Sequence, residues 1–426
     1  MRRFLRWLLA ILLTLGLLGY VVFQFWPLHN PHPAPRVGRG VLAIAHAKVY
    51  PSPDAEPVEN ATVVVRDGKI AAWGPEVAVP EGARVLACDH CVVMAGFWNA
   101  HVHFTEPKWN QAAWQSAEAL NAQLEDMTTG RGFTTVVDLG SDPRSTISLR
   151  RRIETGDLKG PTIYTAGQGL FPPDGIPFYI KRNTPSFITR FIPQPANPKE
   201  AEEAARHAFA QGADVLKLFT GSYVTPDHVL PMPEDIAAAA VSVAHEERHL
   251  VFSHPSDLAG TLVAVHSGVD LLAHAPDTVD GIDDQVLRTI VDRHTAMIPT
   301  LKMFATTVTK KDSYLKPIYG VVRRFRELGG ELVFGTDVGY MTDYATDDEF
   351  LALRESGVDA MGMLRMLTTA PAQRFGVLDQ RGTIAPGKMA DLVVLHGDPA
   401  QDVTAFARVD VTIRNGDVVY QRAPAR

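Results

Sequence analysis

The chain has 426 residues, 46% of them hydrophobic and 21% charged, and a formal net charge of −7. That is ordinary globular composition, and the acidic balance argues against a nucleic-acid binder, which carries a basic surplus. No Walker-type phosphate loop and no GxGxxG after a strand occurs, so phosphate-loop and dinucleotide chemistry are excluded.

In chain order, Arg2, Arg3 and Arg6 precede an uncharged apolar run from Trp7 to Phe23, with Gln24, Phe25 and Trp26 beyond it. The run has the length of a membrane-crossing helix, with indoles near both ends, and no small-x-small cleavage site follows it. The expectation is an N-terminal transmembrane anchor over 1–26 that makes the membrane a partner. The catalytic domain would be exported, in a periplasmic or other extracytoplasmic location. Residues 27–38, rich in Pro and His, read as a stiff linker.

From 39 to 95, short apolar runs alternate with turn signals. Residues 61–70 (ATVVVRDGKI) form a hairpin pattern around Asp67-Gly68, and residues 410–420 repeat it around Asn415-Gly416 after an apolar strand at 390–395. Both ends of the exported chain (39–95 and 377–426) are expected to meet in a small β-sandwich. Cys88 and Cys91, the only cysteines, stand in a tight loop as either a small disulfide or two free thiols. Two thiols are too few for a four-cysteine zinc site.

The middle, 96–376, alternates apolar strands with helical stretches. Candidate strands are 97–103, 134–139, 162–166, 215–219, 250–254, 270–274, 296–300 and 332–337, with Ala-rich amphipathic segments such as 198–211 and 233–248 between them. Eight strands separated by helices in this length predict an α/β fold, a (β/α)₈ TIM barrel. His101-Val102-His103 ends the first strand, and alternation points both imidazoles to one face. Lys217 lies on the fourth strand, His254 ends the fifth, His274 the sixth and Asp337 the eighth. All six fall at C-terminal strand ends, where barrel enzymes keep their sites. Singly, each has a bland reading: a core histidine, a helix cap, a buried lysine that something neutralises. Jointly they predict a metal site.

These stretches carry a resemblance. AGFWNAHVH (95–103), GADVLK (212–217), GVDLLAH (268–274), FGTD (334–337) and the tail GTIAPGKMADLVVL (382–395) are similar to the amidohydrolase superfamily, over 41–420. Within it the chain most resembles the Xaa-Pro dipeptidase and imidazolonepropionase-like branch, and Lys217 favours the dipeptidase side. The resemblance implies two divalent ions, usually zinc: His101, His103 and Asp337 on one, His254 and His274 on the other, and Lys217, N6-carboxylated, bridging both. A metal-bridging hydroxide would attack a C–N bond of a small-molecule substrate (a dipeptide, an N-acyl amino acid or a cyclic amide), with Asp337 as general base. The alternatives are a mononuclear deaminase or imidazolonepropionase-like cyclic-amide hydrolase and, in another class, a non-catalytic tethered binding protein. Ala95 and Asn99 depart from the family pattern without touching the metals. A long loop, 167–197, replaces the glycine-rich loop usual after strand 3. Tyr179 and Arg182 on that loop, with Ser222 and Tyr223 after strand 4, are the candidate substrate-binding residues. The oligomeric state is left open.

Overall fold

The computed structural model describes residues 31–423 apart from 87, 89, 90 and 308–310, together with residues 3, 6–9, 11, 12 and 14–16. The expected transmembrane helix is corrected here: among the described residues no helix is long and apolar enough to cross a membrane. The single-pass anchor, the membrane as a partner and the exported location do not stand on that finding. The described residues between 3 and 16 are helical and exposed, and the rest of the expected span lies outside the described residues.

Five strands open the ordered chain: β1 (Val41–Val49), β2 (Val58–Arg66), β3 (Lys69–Gly74), β4 (Arg84–Leu86) and β5 (Cys91–Ala95). Next come the barrel strands β6 (Phe97–Val102), β7 (Phe133–Asp138), β8 (Thr162–Thr165) and β9 (Val215–Phe219), and then a hairpin, β10 (Gly221–Thr225) with β11 (His228–Pro231). The barrel continues with β12 (Leu250–His254), β13 (Leu271–Ala273) and β14 (Ala296–Ile298), and the chain ends in β15 (Leu392–His396), β16 (Val409–Arg414) and β17 (Asp417–Gln421).

The two ends share a single eight-stranded sheet, ordered β17-β16-β15-β5-β1-β2-β3 with β4 beside β1, rather than two facing sheets of a sandwich. The reason lies in the pairing of β15 with β5 through five antiparallel residue pairs, Leu392↔Ala95 to His396↔Cys91, which splices the C-terminal hairpin onto the N-terminal strands. One apolar cluster follows from it, joining Ile44, Val63 and Val93 to Leu392, Val394 and Ile413. Cys88 and Cys91, the latter the first residue of β5, are joined by a disulfide.

The barrel closes through parallel pairings. β6-β7-β8 and β9-β12-β13-β14 form two arcs. The Asp214 N–H donates to the Thr165 carbonyl at 2.7 Å and the Leu170 N–H to that of Lys217 at 2.8 Å, joining the arcs. Segment 332–338 closes the ring between β14 and β6: Val333 N–H donates to Met297 O at 2.9 Å, Ala100 N–H to Phe334 O at 2.8 Å and His103 N–H to Val338 O at 2.7 Å. Several helices outside the ring start at side chains that accept a backbone N–H. Asp142 caps Pro143–Glu154, Asn197 caps Pro198–Ala210 and Asp257 caps Leu258–His266, with proline at the first helical position in the first two.

The terminal sheet is fastened to the barrel. Arg414 on β16 pairs with Glu154, the two side chains being 5% and 7% exposed, and its Nε donates to Thr162 Oγ1 at 3.0 Å. Thr412 Oγ1 donates to the Thr129 carbonyl at 2.6 Å. Segment 31–38 runs along the same seam, its Pro31 carbonyl accepting from Arg150 Nε at 2.9 Å and its Gly38 N–H donating to the Asn415 carbonyl at 2.8 Å. Removing one partner of a buried ion pair strands the other in low dielectric. Glu154→Ala should therefore lower stability by about 3–5 kcal/mol, read as a lower urea midpoint. A loss below about 1 kcal/mol would mean that the seam behaves like a solvated surface pair.

Candidate metal centre

Barrel geometry dictates the gathering. Each strand delivers its last inward residue to the same rim, so histidines far apart in sequence become neighbours. His101 Nε2 lies 3.2 Å from His103 Nε2, and the two are 3.2 and 2.9 Å from Asp337 Oδ1. One ligand atom from each of these three residues lies within 4.8 Å of the others. His274 Nε2 is 3.9 Å from Asp337 Oδ2, and its ring stacks on that of His101 at 4.7 Å between centroids. The His254 ring stands edge-on to His274, also at 4.7 Å, and stacks on Phe219. Lys217, 1% exposed, donates from Nζ to the Ala273 carbonyl at 3.0 Å.

Protonation follows from these neighbours. His103 Nδ1 lies 2.9 Å from the Gly140 carbonyl, which can only accept, so Nδ1 carries the proton and Nε2 presents its lone pair to the cluster. The Thr300 hydroxyl donates to Pro299 O, so the Thr300 oxygen accepts from His274 Nδ1 at 2.7 Å and leaves Nε2 of that ring bare. Burial pushes His101, His254 and His274 well below the ordinary histidine pKa, and the Lys217 charge adds to this in each. Three imidazoles are thereby held neutral, the form that binds metal. For His103 burial acts the same way and is the largest single influence, but Asp337, Asp138 and the Gly140 carbonyl together outweigh it and its pKa is raised. Burial brings Lys217 down to about 7.

The donor set fits a divalent cation. Asp337 Oδ1 sits at ion-pair distance from two imidazole nitrogens, yet it and His101 Nδ1 are buried without a hydrogen-bond partner. Two imidazole nitrogens gathered on a buried carboxylate oxygen that has no hydrogen-bond partner suit a cation, and nitrogen and carboxylate donors suit zinc.

The surrounding residues hold this geometry. Asn99 Nδ2 donates to Thr336 Oγ1 at 2.7 Å, and Asn99 Oδ1 accepts from the N–H groups of His101 and Thr336, both at 3.2 Å, stapling the first strand to the eighth. Asp337 itself has φ +60°, a left-handed conformation that turns its carboxylate inward, and the glycine at 339 has no room for a Cβ, which would meet the His103 carbonyl oxygen. Asp138, fully buried at the end of β7, accepts from Ser141 Oγ at 2.5 Å, Thr165 Oγ1 at 2.9 Å, Thr146 Oγ1 at 3.0 Å and Gly140 N–H at 3.3 Å. It thus fixes the turn whose Gly140 carbonyl orients His103. Sequence reasoning missed Asp138, Thr300 and Asn99 as supports. The signal available was a carboxylate inside an otherwise apolar strand, which a barrel buries.

Of the candidate substrate residues, Tyr179 sits on helix Phe178–Asn183 with its ring 5.8 Å from that of Tyr340. Arg182 on the same helix is exposed and its charge acts on Tyr340. The Tyr223 hydroxyl is 3.1 Å from Thr278 Oγ1. Ser222 is buried and its hydroxyl donates to the Gly175 carbonyl, tying the hairpin to loop 167–197, so it is not free to meet a substrate.

Residues 92–419 match the model of the amidohydrolase family. Over 409 residues the chain is 22% identical to an ochratoxinase of Aspergillus niger, covering 86% of this chain and 83% of that protein. Over 391 residues it is 24% identical to an imidazolonepropionase of Brucella anthropi, covering 79% and 87%. A crystal structure of a Xaa-Pro dipeptidase with bound methionine in the active site matches at TM-score 0.77 and 24% identity, over 90% of this chain and 100% of that one. At that identity the likeness is one of fold.

Because Asp138 acts on His103 through Gly140, Asp138→Asn should weaken divalent metal retention about 10–100-fold while the protein stays folded. Metal content after dialysis against graded chelator measures this, and an unchanged chelator midpoint would show that the turn holds without the carboxylate.

Proposed function

This chain belongs to the amidohydrolase family and is a hydrolase of carbon–nitrogen bonds, and within that class we propose that it is a binuclear enzyme acting on short peptide-like amides. The reading rests on one observation above the others. Lys217 is buried among neutral imidazoles, and its amine is bonded to a backbone carbonyl rather than to a carboxylate. Burying an unpaired ammonium is costly, and converting it to an anion between two cations removes the conflict. The neutral amine adds to CO₂, forming an N–C bond and releasing one proton, and a pKa of about 7 leaves a large share of Lys217 in that reactive form at neutral pH.

In this reading His101, His103 and Asp337 would hold one ion and His254 and His274 the other, carboxylated Lys217 would serve both, and zinc would be the metal. The ions supply Lewis acidity that makes water nucleophilic near neutral pH and polarises the scissile carbonyl. Asp337 takes the proton of the attacking water at a carboxylate oxygen and passes it to the leaving amine nitrogen as the C–N bond breaks. Tyr179 and Arg182, on helix Phe178–Asn183 in the loop after strand 3, would meet the substrate's far end in this reading. The compact grouping of His101, His103 and Asp337 alone favours a second reading, a single-ion cyclic-amide hydrolase.

Lys217→Ala separates the two. In the binuclear reading it reduces activity to background, and bicarbonate with a short-chain carboxylic acid restores part of it. Near-normal activity and metal content in Lys217→Ala would establish the single-ion reading instead. A pH effect accompanies it. The folded amine is neutral above about pH 7 and protonated below it, so at fixed dissolved CO₂ and zinc, apo-protein should regain activity faster at pH 8 than at pH 6. Equal rates would contradict carboxylation of the free amine.

A further inference from the structure

Two of the clustered histidines are oriented by hydrogen bonds at Nδ1, His103 by the Gly140 carbonyl and His274 by the Thr300 hydroxyl. At His254 ring contacts are the restraint. Its imidazole lies face to face with Phe219, centroids 4.9 Å apart and planes 24° from parallel, and edge-on to His274 at 4.7 Å and 88°. The lone pair of an imidazole nitrogen lies in the ring plane, so the ring reaches a metal only when that plane is aimed at it. Rotation about the last side-chain torsion of histidine is soft. A flat ring against one face opposes that rotation without occupying either nitrogen.

The backbone delivers Phe219 to this place. It stands two residues after Lys217 on β9, on the same face of the strand, and pairs in register with His254 on β12. Its ring centroid is 5.5 Å from Lys217 Nζ, so one side chain borders both the lysine and the histidine. Phe171, 5% exposed, stacks on Phe219 in turn, at 4.2 Å and 26°. Three backbone bonds fix Phe171: Leu170 N–H to Lys217 O at 2.8 Å, Phe219 N–H to Leu170 O at 2.9 Å and Phe171 N–H to Pro193 O at 3.0 Å. The last of these ties together the two ends of loop 167–197. At position 169 a Cβ would stand 3.1 Å from Phe219 Cε2 and 3.6 Å from Lys217 Cγ, and the chain has glycine there.

We propose that Phe219, held by Phe171, is a positioning residue that sets the ring plane of His254 for metal binding. This rests on the proposed binuclear reading and deepens it. The loop that carries Tyr179 and Arg182 is thereby linked, through two stacked rings, to the ion that His254 would hold. The position requires a planar partner, and apolar bulk alone does not supply one.

Zinc affinity of the full chain, read by competition with chelators of graded strength, tests this without turnover. Phe219→Leu keeps apolar bulk and removes the flat face. It should weaken one of two ions about 10–100-fold and leave the other as in the wild type. Phe219→Tyr keeps the face and should hold both ions as the wild type does. Phe171→Leu should shift the same ion in the same direction, by less. In a His254→Ala background, Phe219→Leu should change the affinity of the remaining ion no further, because the effect acts through His254. The proposal is overturned if Phe219→Leu holds both ions like the wild type, if Phe219→Tyr loses as much as Phe219→Leu, or if Phe219→Leu still weakens the remaining ion once His254 is gone. Wild-type protein that binds a single ion would contradict the binuclear reading instead. The positioning role then survives only if Phe219→Leu weakens that ion and Phe219→Tyr does not.

Discussion

Four imidazoles, one carboxylate and one lysine gather at one rim of the barrel, mostly buried, and Asp337 Oδ1 and His101 Nδ1 among them have no hydrogen-bond partner. Burial keeps His101, His254 and His274 neutral. The two histidines whose tautomers are set by hydrogen bonds turn their bare Nε2 atoms toward Asp337. At His103 the Asp337 and Asp138 carboxylates and the Gly140 carbonyl oppose burial and raise the pKa. The demand for positive charge at this point is the constraint to which the rest of the rim answers.

The fold meets that demand with rigidity. Ligands on strand ends inherit the stiffness of a closed barrel, and the places where the backbone must deviate are few and determined. Asp337 takes a left-handed conformation, which the bonds from Asp337 N–H to His101 O at 2.8 Å and from the N–H of Tyr340 to Asp337 O hold in place. Thr300 also has positive φ, +48°, and its conformation serves to present an oxygen to His274. The helix that follows Thr300 is anchored in turn by Glu349, whose carboxylate accepts the N–H groups of Leu301 and Lys302 at 3.0 and 2.7 Å. Strained backbone persists only where its surroundings over-determine it, and here those surroundings lead back to the ligands.

The barrel strands are legible in the sequence because parallel strands covered on both faces must be short apolar runs, and a polar residue ending such a run has one place to go. His101, His103, Lys217, His254, His274 and Asp337 are conspicuous for that reason. The eighth strand pairs only through isolated bridges, at Leu332 and Val338, a weakness that residue pattern does not carry. Two readings fail for want of tertiary information. The repeated hairpins at 61–70 and 410–420 suggest two sheets, but the splice of β15 onto β5 is a long-range choice that alternation cannot encode. The apolar run near the N-terminus satisfies a length rule for spanning a bilayer, whereas no helix among the described residues does. Asp138 escapes notice because a lone aspartate in sequence looks like a turn or a cap until burial singles it out.

The central claim, that these six residues exist to hold two divalent ions, is tested most directly by counting metal. Purified full-length protein, reconstituted with zinc and bicarbonate and freed of loose ions by gel filtration, should carry close to two divalent ions per chain by inductively coupled plasma mass spectrometry, with hydrolytic activity rising in step with metal content. Full activity in protein that carries no bound metal would contradict it.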